Sequence, residues 1–227
     1  VMDEIRTERL TWRPTGPQYV DDYVALVSDY EVVKNLSSFP YPVDPEYTAS
    51  RCKPVDPANG MVGPVFLGDE VIGGIGIYQG DMGYMYAASH WGKGYATEIA
   101  RALIAQCFQR YDWDDITAAA WRDNPGSARV LEKLGFQFTH TSMDDCKARK
   151  QKIASRNFKL TRENWLAANP YLIETDRLII RSLRDDDWRD LQRLGGVQDV
   201  ARMLATVKSP WPERDVKKWL DHSKWRG

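Results

Sequence analysis

The chain has 227 residues, 43% hydrophobic and 28% charged, with a formal net charge of -1, which describes an ordinary globular protein with room for one domain and part of another. That balance holds no concentrated Lys/Arg surface and argues against nucleic acid as the principal partner. No apolar run approaches the roughly 18 residues of a membrane span and no signal peptide is expected ahead of Asp3, so neither membrane insertion nor export is predicted. Cys52, Cys107 and Cys146 are odd in number and far apart in sequence; that argues against a disulfide framework and for a reducing, cytoplasmic setting.

Residues 7–14 alternate and predict a first strand. Residues 17–28 follow with Tyr19, Tyr23, Leu26 and Val27 at helical spacing, and 31–36 read as another helical turn or two. The Phe39-Pro40-Tyr41-Pro42 run breaks the pattern; 44–52 then predict a short helix capped by Asp44 with Pro45 at its first position. Residues 62–67 and 71–78 read as strands of a hairpin turning at Gly68-Asp69-Glu70, and 83–88 as a further strand.

From Tyr95 the chain carries Ala96, Ile99, Ala100, Leu103, Ile104, Cys107 and Phe108 on one helical face. Residues 116–121 predict a buried strand. Asn124, Pro125 and Gly135 then bracket a helix as cap, first residue and left-handed stop. Residues 136–141 and 153–160 read as two last strands, with 143–151 as an exposed polar loop.

A repeat divides the chain. Residues 5–13, IRTERLTWR, return as 173–181, IETDRLIIR, and the register from Thr7 to Thr175 holds without gaps through Asp22/Asp190, Leu26/Leu194, Val32/Val200 and Pro42/Pro210. This predicts a first domain over residues 1–168 and, over 169–227, a partial second copy holding only the first strand and helices.

Between strand and helix stands His90-Trp91-Gly92-Lys93-Gly94-Tyr95-Ala96-Thr97-Glu98. Glycines at such a turn let main-chain N–H groups converge, and the helix start adds a positive dipole end, so the turn is built to hold an anion. It is not a P-loop, because Lys93 is followed by Gly94, and Gly74-x-Gly76 is not a dinucleotide fingerprint, because Gln79 stands where the third glycine belongs. The second copy contains no such turn. The three histidines, His90, His140 and His222, have no ligand spacing, so no metal is implied. The Asp185-Asp186-Asp187 run at a predicted helix start reads as dipole complementation.

Three motifs in order, TERLxxR at 7–13, WGKGYATE at 91–98 and NPxSxxxLEKLGF at 124–136, with LTREN at 160–164 after them, resemble the GNAT superfamily of acetyl-CoA-dependent N-acetyltransferases. Within it the branch containing the ribosomal-protein N-terminal acetyltransferases is the most similar. The likeness covers 5–166, and 173 to about 222 more faintly. Many relatives carry Gln or Arg where Trp91 stands. The resemblance implies a mixed α+β fold, with a central, mostly antiparallel twisted sheet flanked by helices, and transfer of an acetyl group from acetyl-CoA to a primary amine by direct attack in a ternary complex. The acceptor would be a peptide N-terminus or a small-molecule amine.

The same resemblance assigns residues. The CoA pyrophosphate would sit on main-chain N–H groups of the turn formed by Trp91, Gly92, Lys93, Gly94, Tyr95 and Ala96, with Thr97 adding a hydroxyl. The pantetheine arm would pair with the main chain of Met85, Tyr86 and Ala87 and with Asn124. Ser127 would hydrogen-bond or protonate the sulfur. Many GNAT enzymes use a tyrosine a few residues further on, where Val130, Leu131 and Leu134 stand here. His90, Asp81, Tyr84, Glu70 and Asp69 are candidates for the base, and Phe39, Tyr41 and Tyr47 for the acceptor pocket. Direct transfer needs no covalent nucleophile, so Cys52 and Cys107 read as core. The competing expectation is a non-catalytic acyl-CoA-binding or regulatory module, in which the second copy covers the amine entrance or forms a homodimer.

Overall fold

A computed structural model describes residues 4–170 and 172–223. Its contacts divide the chain into two compact units, Val1–Arg162 and Glu163–Gly227. The division falls after the first residue of the helix at 162–168.

The first unit opens with two short strands, β1 (Ile5–Arg6) and β2 (Thr11–Trp12), where the alternation had suggested one. Thr7 makes the difference: its N–H donates to the Leu10 carbonyl at 2.9 Å and its hydroxyl oxygen accepts from Leu10 N at 3.1 Å, which folds the segment into a hairpin. A 3-10 turn at Pro17–Tyr19 leads into α1 (Val20–Ser28), followed by α2 (Tyr30–Val33) and α3 (Pro45–Arg51). The Asp44 carboxylate accepts from Tyr47 N at 2.9 Å and caps α3 as expected. Then come β3 (Gly60–Leu67), β4 (Glu70–Tyr78), β5 (Asp81–Tyr86), α4 (Tyr95–Arg110), β6 (Asp115–Trp121) and α5 (Pro125–Lys133). The last strands are β7 (Gln137–Cys146) and β8 (Gln151–Thr161).

These strands form one sheet in the order β1-β2-β3-β4-β5-β6-β8-β7, antiparallel except where β5 meets β6. The helical period predicted for α4 is realised: Ile99, Ala100, Leu103, Ile104, Cys107 and Phe108 are all buried. Tyr23, Leu26 and Val27 of α1 pack with Met85, Trp121 and Cys146 in a second cluster. Successive residues of a strand point to opposite faces, so Met85 joins α1 while Tyr84 and Tyr86 turn to the other face.

The predicted exposed loop at 143–151 is instead the end of β7, a four-residue turn and the start of β8. β7 is an edge strand with both faces largely in solvent; apart from Phe138, Met143 and Cys146 it carries polar residues, and it lacks the alternation that marks a half-buried strand. Its turn is tied down. Cys146 and Ala148 are buried, Lys147 N donates to Ser37 O at 3.1 Å, and Arg149 Nε donates to Lys34 O at 2.8 Å while its guanidinium holds Asp123 at 2.5 Å.

The second unit holds α6 (Arg162–Ala168) apart from its first residue, a two-stranded sheet of β9 (Leu172–Glu174) and β10 (Ile179–Arg181), then α7 (Trp188–Gly195), α8 (Gln198–Ala201) and α9 (Glu213–Ser223). Its turn repeats the reciprocal pair of the first unit: Thr175 N donates to Leu178 O at 2.8 Å and Leu178 N donates to Thr175 Oγ1 at 3.0 Å.

Candidate functional site

The β5–β6 pairing is short. It runs from Asp81↔Thr117 to Met82↔Ala118, and among the described residues no later pair joins the two strands. From Gly83 onward β5 stays paired to β4 on its other side, so one edge of its backbone faces an opening. A cleft of about 1110 Å³ occupies it, lined by both strands, the loop after β5, the first turn of α4, one side of α5 and the segment 35–39.

At one end of the cleft the loop turns through two left-handed glycines, Gly92 (φ 74°) and Gly94 (φ 82°), and α4 begins with no side-chain cap. The N–H groups of its first turn therefore keep their donors free for an anion. A Cβ on Gly92 would meet nothing within 4 Å, so the approach is open. Contrast α5, where Asn124 Oδ1 accepts from Ser127 N at 3.1 Å and closes the helix start.

The N-terminal hairpin fastens this loop, a relation 89 residues long that no local signal announces. Glu98 Oε1 accepts from Thr7 Oγ1 (2.6 Å) and Arg9 N (3.0 Å), Glu98 Oε2 accepts from Arg9 Nε (2.7 Å), and Arg9 Nη1 donates to Lys93 O at 3.1 Å. The Arg9 guanidinium also lies over the Tyr95 ring, 4.7 Å from its centre. Partial burial pushes the Glu98 carboxyl up, but the hydrogen bonds from Thr7 and Arg9 outweigh it and hold it below its ordinary value. A depressed carboxylate keeps its partners above its unfolded pKa and loses them as pH falls through the folded one, so the latch is lost only in acid. Arg9→Ala removes a partly exposed ion pair and a main-chain contact worth together roughly 0.5–1.5 kcal/mol. CoA titrated calorimetrically into this variant is expected to bind about three- to tenfold more weakly, with the thermal unfolding of the domain little changed.

Of the residues singled out for CoA, Met85, Tyr86, Trp91, Gly92, Gly94 and Tyr95 line the cleft, as do Ala96, Thr97, Asn124 and Ser127. Lys93 and Ala87 do not; Ala87 N is engaged by Ile72 O at 2.9 Å. Trp91 has a mooring role: its indole N–H donates to Tyr86 O at 2.8 Å and ties the loop to the end of β5. Ser127, on the first turn of α5, meets the Tyr84 hydroxyl at 2.7 Å.

Among the expected bases, Asp81, Tyr84 and His90 line the cleft, with His90 Nδ1 3.1 Å from Ser89 Oγ. Asp69 and Glu70 sit at the exposed β3–β4 turn and are not in its lining. Of the three aromatics assigned to the acceptor, Phe39 lines the cleft. Tyr47 packs edge-on behind it at 5.7 Å, and Tyr41 is turned against Tyr30 at 5.0 Å.

One carboxylate was hidden by the misread loop. Asp144 lies on the inner side of β7 and lines the cleft; Ser142 Oγ donates to its Oδ2 at 2.6 Å, and Asn157 Nδ2 donates to Ser142 Oγ at 2.8 Å. Arg129 and Lys133 on α5 bring positive charge to the same opening. Among the described residues no three His, Cys, Asp or Glu side chains are grouped to hold a metal, and no helix is long and apolar enough to cross a membrane.

The sheet that opens between two strands beside a glycine turn is joined by a match to the family described as "Acetyltransferase (GNAT) domain" over residues 9–137, more than half of the chain. The chain belongs to the GNAT acetyltransferase family. A protein of Bacillus licheniformis named N-acetyltransferase p20 is 28% identical over 177 residues, 72% of this chain and 99% of that one. YkkB of Bacillus subtilis is 39% identical over 61 residues, 27% of this chain and 36% of that protein; the chain thus spans about a third of it. Solved GNAT structures share the mixed fold with its open, mostly antiparallel sheet flanked by helices. A Bacillus anthracis GNAT acetyltransferase superposes at TM-score 0.61 with 21% identity, covering 71% of this chain and 99% of its own. RimL, described as a ribosomal L7/L12 alpha-N-protein acetyltransferase and solved with coenzyme A, superposes at 0.60 with 15% identity, covering 70% and 98%. Acetyl-CoA is the acetyl donor of this family.

Proposed function

We propose that the chain transfers an acetyl group from acetyl-CoA directly to a primary amine, with both substrates bound in the one cleft. The observation that carries this reading is the opening between β5 and β6, which ends at an uncapped helix start with two left-handed glycines. The first turn of α4 holds the pyrophosphate, the unpaired edge of β5 takes the amide-rich pantetheine arm, and the acetyl group lies toward Ser127. The amine enters from the side of Phe39 and Asp144, where Asp144 attracts the ammonium and accepts a proton as the neutral amine forms. The nitrogen attacks the thioester carbon, the C–N bond forms and the C–S bond breaks, the departing sulfur takes the Ser127 hydroxyl proton, and the second proton shed by the nitrogen as it becomes an amide returns through water to Ser127. The buried cysteines support transfer without an acyl-enzyme: Cys52, Cys107 and Cys146 have little or no exposure, and burial pushes the Cys107 thiol up to about 12.

The acceptor we infer is an amine on a peptide N-terminus or a small molecule. Asp144→Asn is expected to raise the KM of the amine about tenfold, from the loss of a partly screened charge contact, and to leave acetyl-CoA binding unchanged. Initial rates with both substrates varied test the route: intersecting lines are expected, and parallel lines with an acetylated protein in mass spectra would show a covalent intermediate instead.

Residues 169–227 are read as a partial second copy of the first strand and helices. Supporting this, Leu178, Ile180, Leu194 and Val200 are exposed where their counterparts Leu10, Trp12, Leu26 and Val32 are buried. Residues 169–227 contain no glycine turn of this kind, and the CoA site lies in the first unit.

A further inference from the structure

We propose that Tyr84 is a positioning residue for Ser127, holding its hydroxyl so that the serine hydrogen is delivered to the CoA sulfur. The inference rests on the acetyl-transfer reading and on the assignment of Ser127 to the sulfur. Tyr84 comes from the middle of β5 and Ser127 from the first turn of α5, 43 residues away, and both line the cleft just past the point where β5 and β6 part. The phenol oxygen lies 2.7 Å from Ser127 Oγ and 3.2 Å from Ser127 O. The serine N–H is already bonded to Asn124 Oδ1, so the main chain of this turn is fixed and only the hydroxyl rotor remains to be set.

Two arrangements satisfy these distances. In one, Tyr84 donates to Ser127 O and the serine donates to the phenol, which ties up the serine hydrogen. In the other, Tyr84 donates to Ser127 Oγ and the serine hydrogen points into the cleft. A thiolate beside Ser127 selects the second, because a charge-assisted hydrogen bond is roughly twice as strong as a neutral one. Burial pushes the Tyr84 phenol up to about 12, with the Ser127 hydrogen bond offsetting part of the rise, so the tyrosine remains a donor throughout any working range. When the C–S bond breaks, the electron pair stays on sulfur and the sulfur takes the Ser127 hydrogen. The Tyr84 hydrogen bond stabilises the charge that develops on Oγ, and the serine recovers, through water, the proton that the nitrogen sheds as it becomes an amide. Tyr84 itself transfers nothing.

The test needs no acceptor amine. CoA itself, bound to the full-length chain, is titrated with pH and its thiolate followed by ultraviolet absorbance. In the wild-type complex the thiolate-to-thiol ratio is expected to exceed that of free CoA at the same pH by about tenfold. Tyr84→Phe and Ser127→Ala should each bring the ratio back to within a few-fold of free CoA, and the double variant should add nothing further. Ser127→Thr, which retains a hydroxyl, should keep most of the effect. CoA affinity at low pH, where the thiol is protonated, should be the same in all of them. A Tyr84→Phe ratio equal to wild type, or an equal effect of Tyr84→Phe in the Ser127→Ala background, overturns the coupling. A Ser127→Ala ratio equal to wild type overturns the sulfur assignment beneath it, and failure of the wild type to bind CoA overturns the acetyl-transfer reading.

Discussion

Gly94→Val is expected to weaken CoA binding about ten- to a hundredfold while leaving the domain folded. Gly94 sits at φ 82°, and a Cβ there would meet only Arg9 Nη2 at 3.5 Å, an ordinary contact. Crowding is therefore not the cause; backbone conformation is. A left-handed L-residue costs roughly 1–2 kcal/mol, and more when β-branched. The loop relieves that strain by leaving the left-handed region, which turns the first-turn N–H groups of α4 away from their common focus. Loss of one donor to a charged oxygen costs about 1.5–3 kcal/mol, which at 1.4 kcal/mol per decade gives the stated range. The core does not depend on the loop, since the buried face of α4 begins at Ile99. Calorimetric titration with CoA reads the effect, and an affinity equal to wild type would remove the phosphate from this turn.

Ser127→Ala should lower kcat about a hundredfold, the low end of what a positioned proton donor contributes, with the KM of acetyl-CoA changed by less than about threefold. The substitution separates chemistry from structure cleanly. The helix cap is made by Asn124 Oδ1 on the Ser127 main-chain N–H, which alanine retains, so α5 stays closed. Asn124→Ala would remove that cap at about 1 kcal/mol and blur the reading. A Ser127→Ala enzyme with full kcat would mean that the thiolate leaves without help from this side chain.

The parts of the fold that were legible in sequence are those whose stability is local or periodic. The α4 core face followed from 3.6-residue spacing, and the α3 and α5 starts followed from Asp44-Pro45 and Asn124-Pro125, each seen as a capped helix. Gly135, with φ 93°, ends α5 as its left-handed residue should. The β1–β2 hairpin was not legible, because two-residue strands carry no period and the Thr7 turn is made by a side chain. The first half of β7 was read as a strand, but its second half, 143–146, was taken for loop because a solvated polar end carries no alternation, and with it went Asp144. The cleft was foreseeable only through family likeness. Its working contacts, Arg9 with Glu98 and Tyr84 with Ser127, join residues 89 and 43 apart, and nothing in either neighbourhood points to the partner. Conversely Lys93, which a motif places at the phosphate, contributes a carbonyl to Arg9 and stays out of the cleft lining.

The most direct test of acetyl transfer is release of free CoA thiol from acetyl-CoA on addition of primary amines, including peptides with free N-termini and small-molecule amines, each followed by mass spectrometry of the acceptor. Amine-dependent thiol release is expected, with stoichiometric acetylation of at least one acceptor, lowered about ten- to a hundredfold by Gly94→Val at limiting acetyl-CoA. Tight CoA binding with no acetyl transfer to any of these amines would contradict it and leave the chain as an acyl-CoA-binding module.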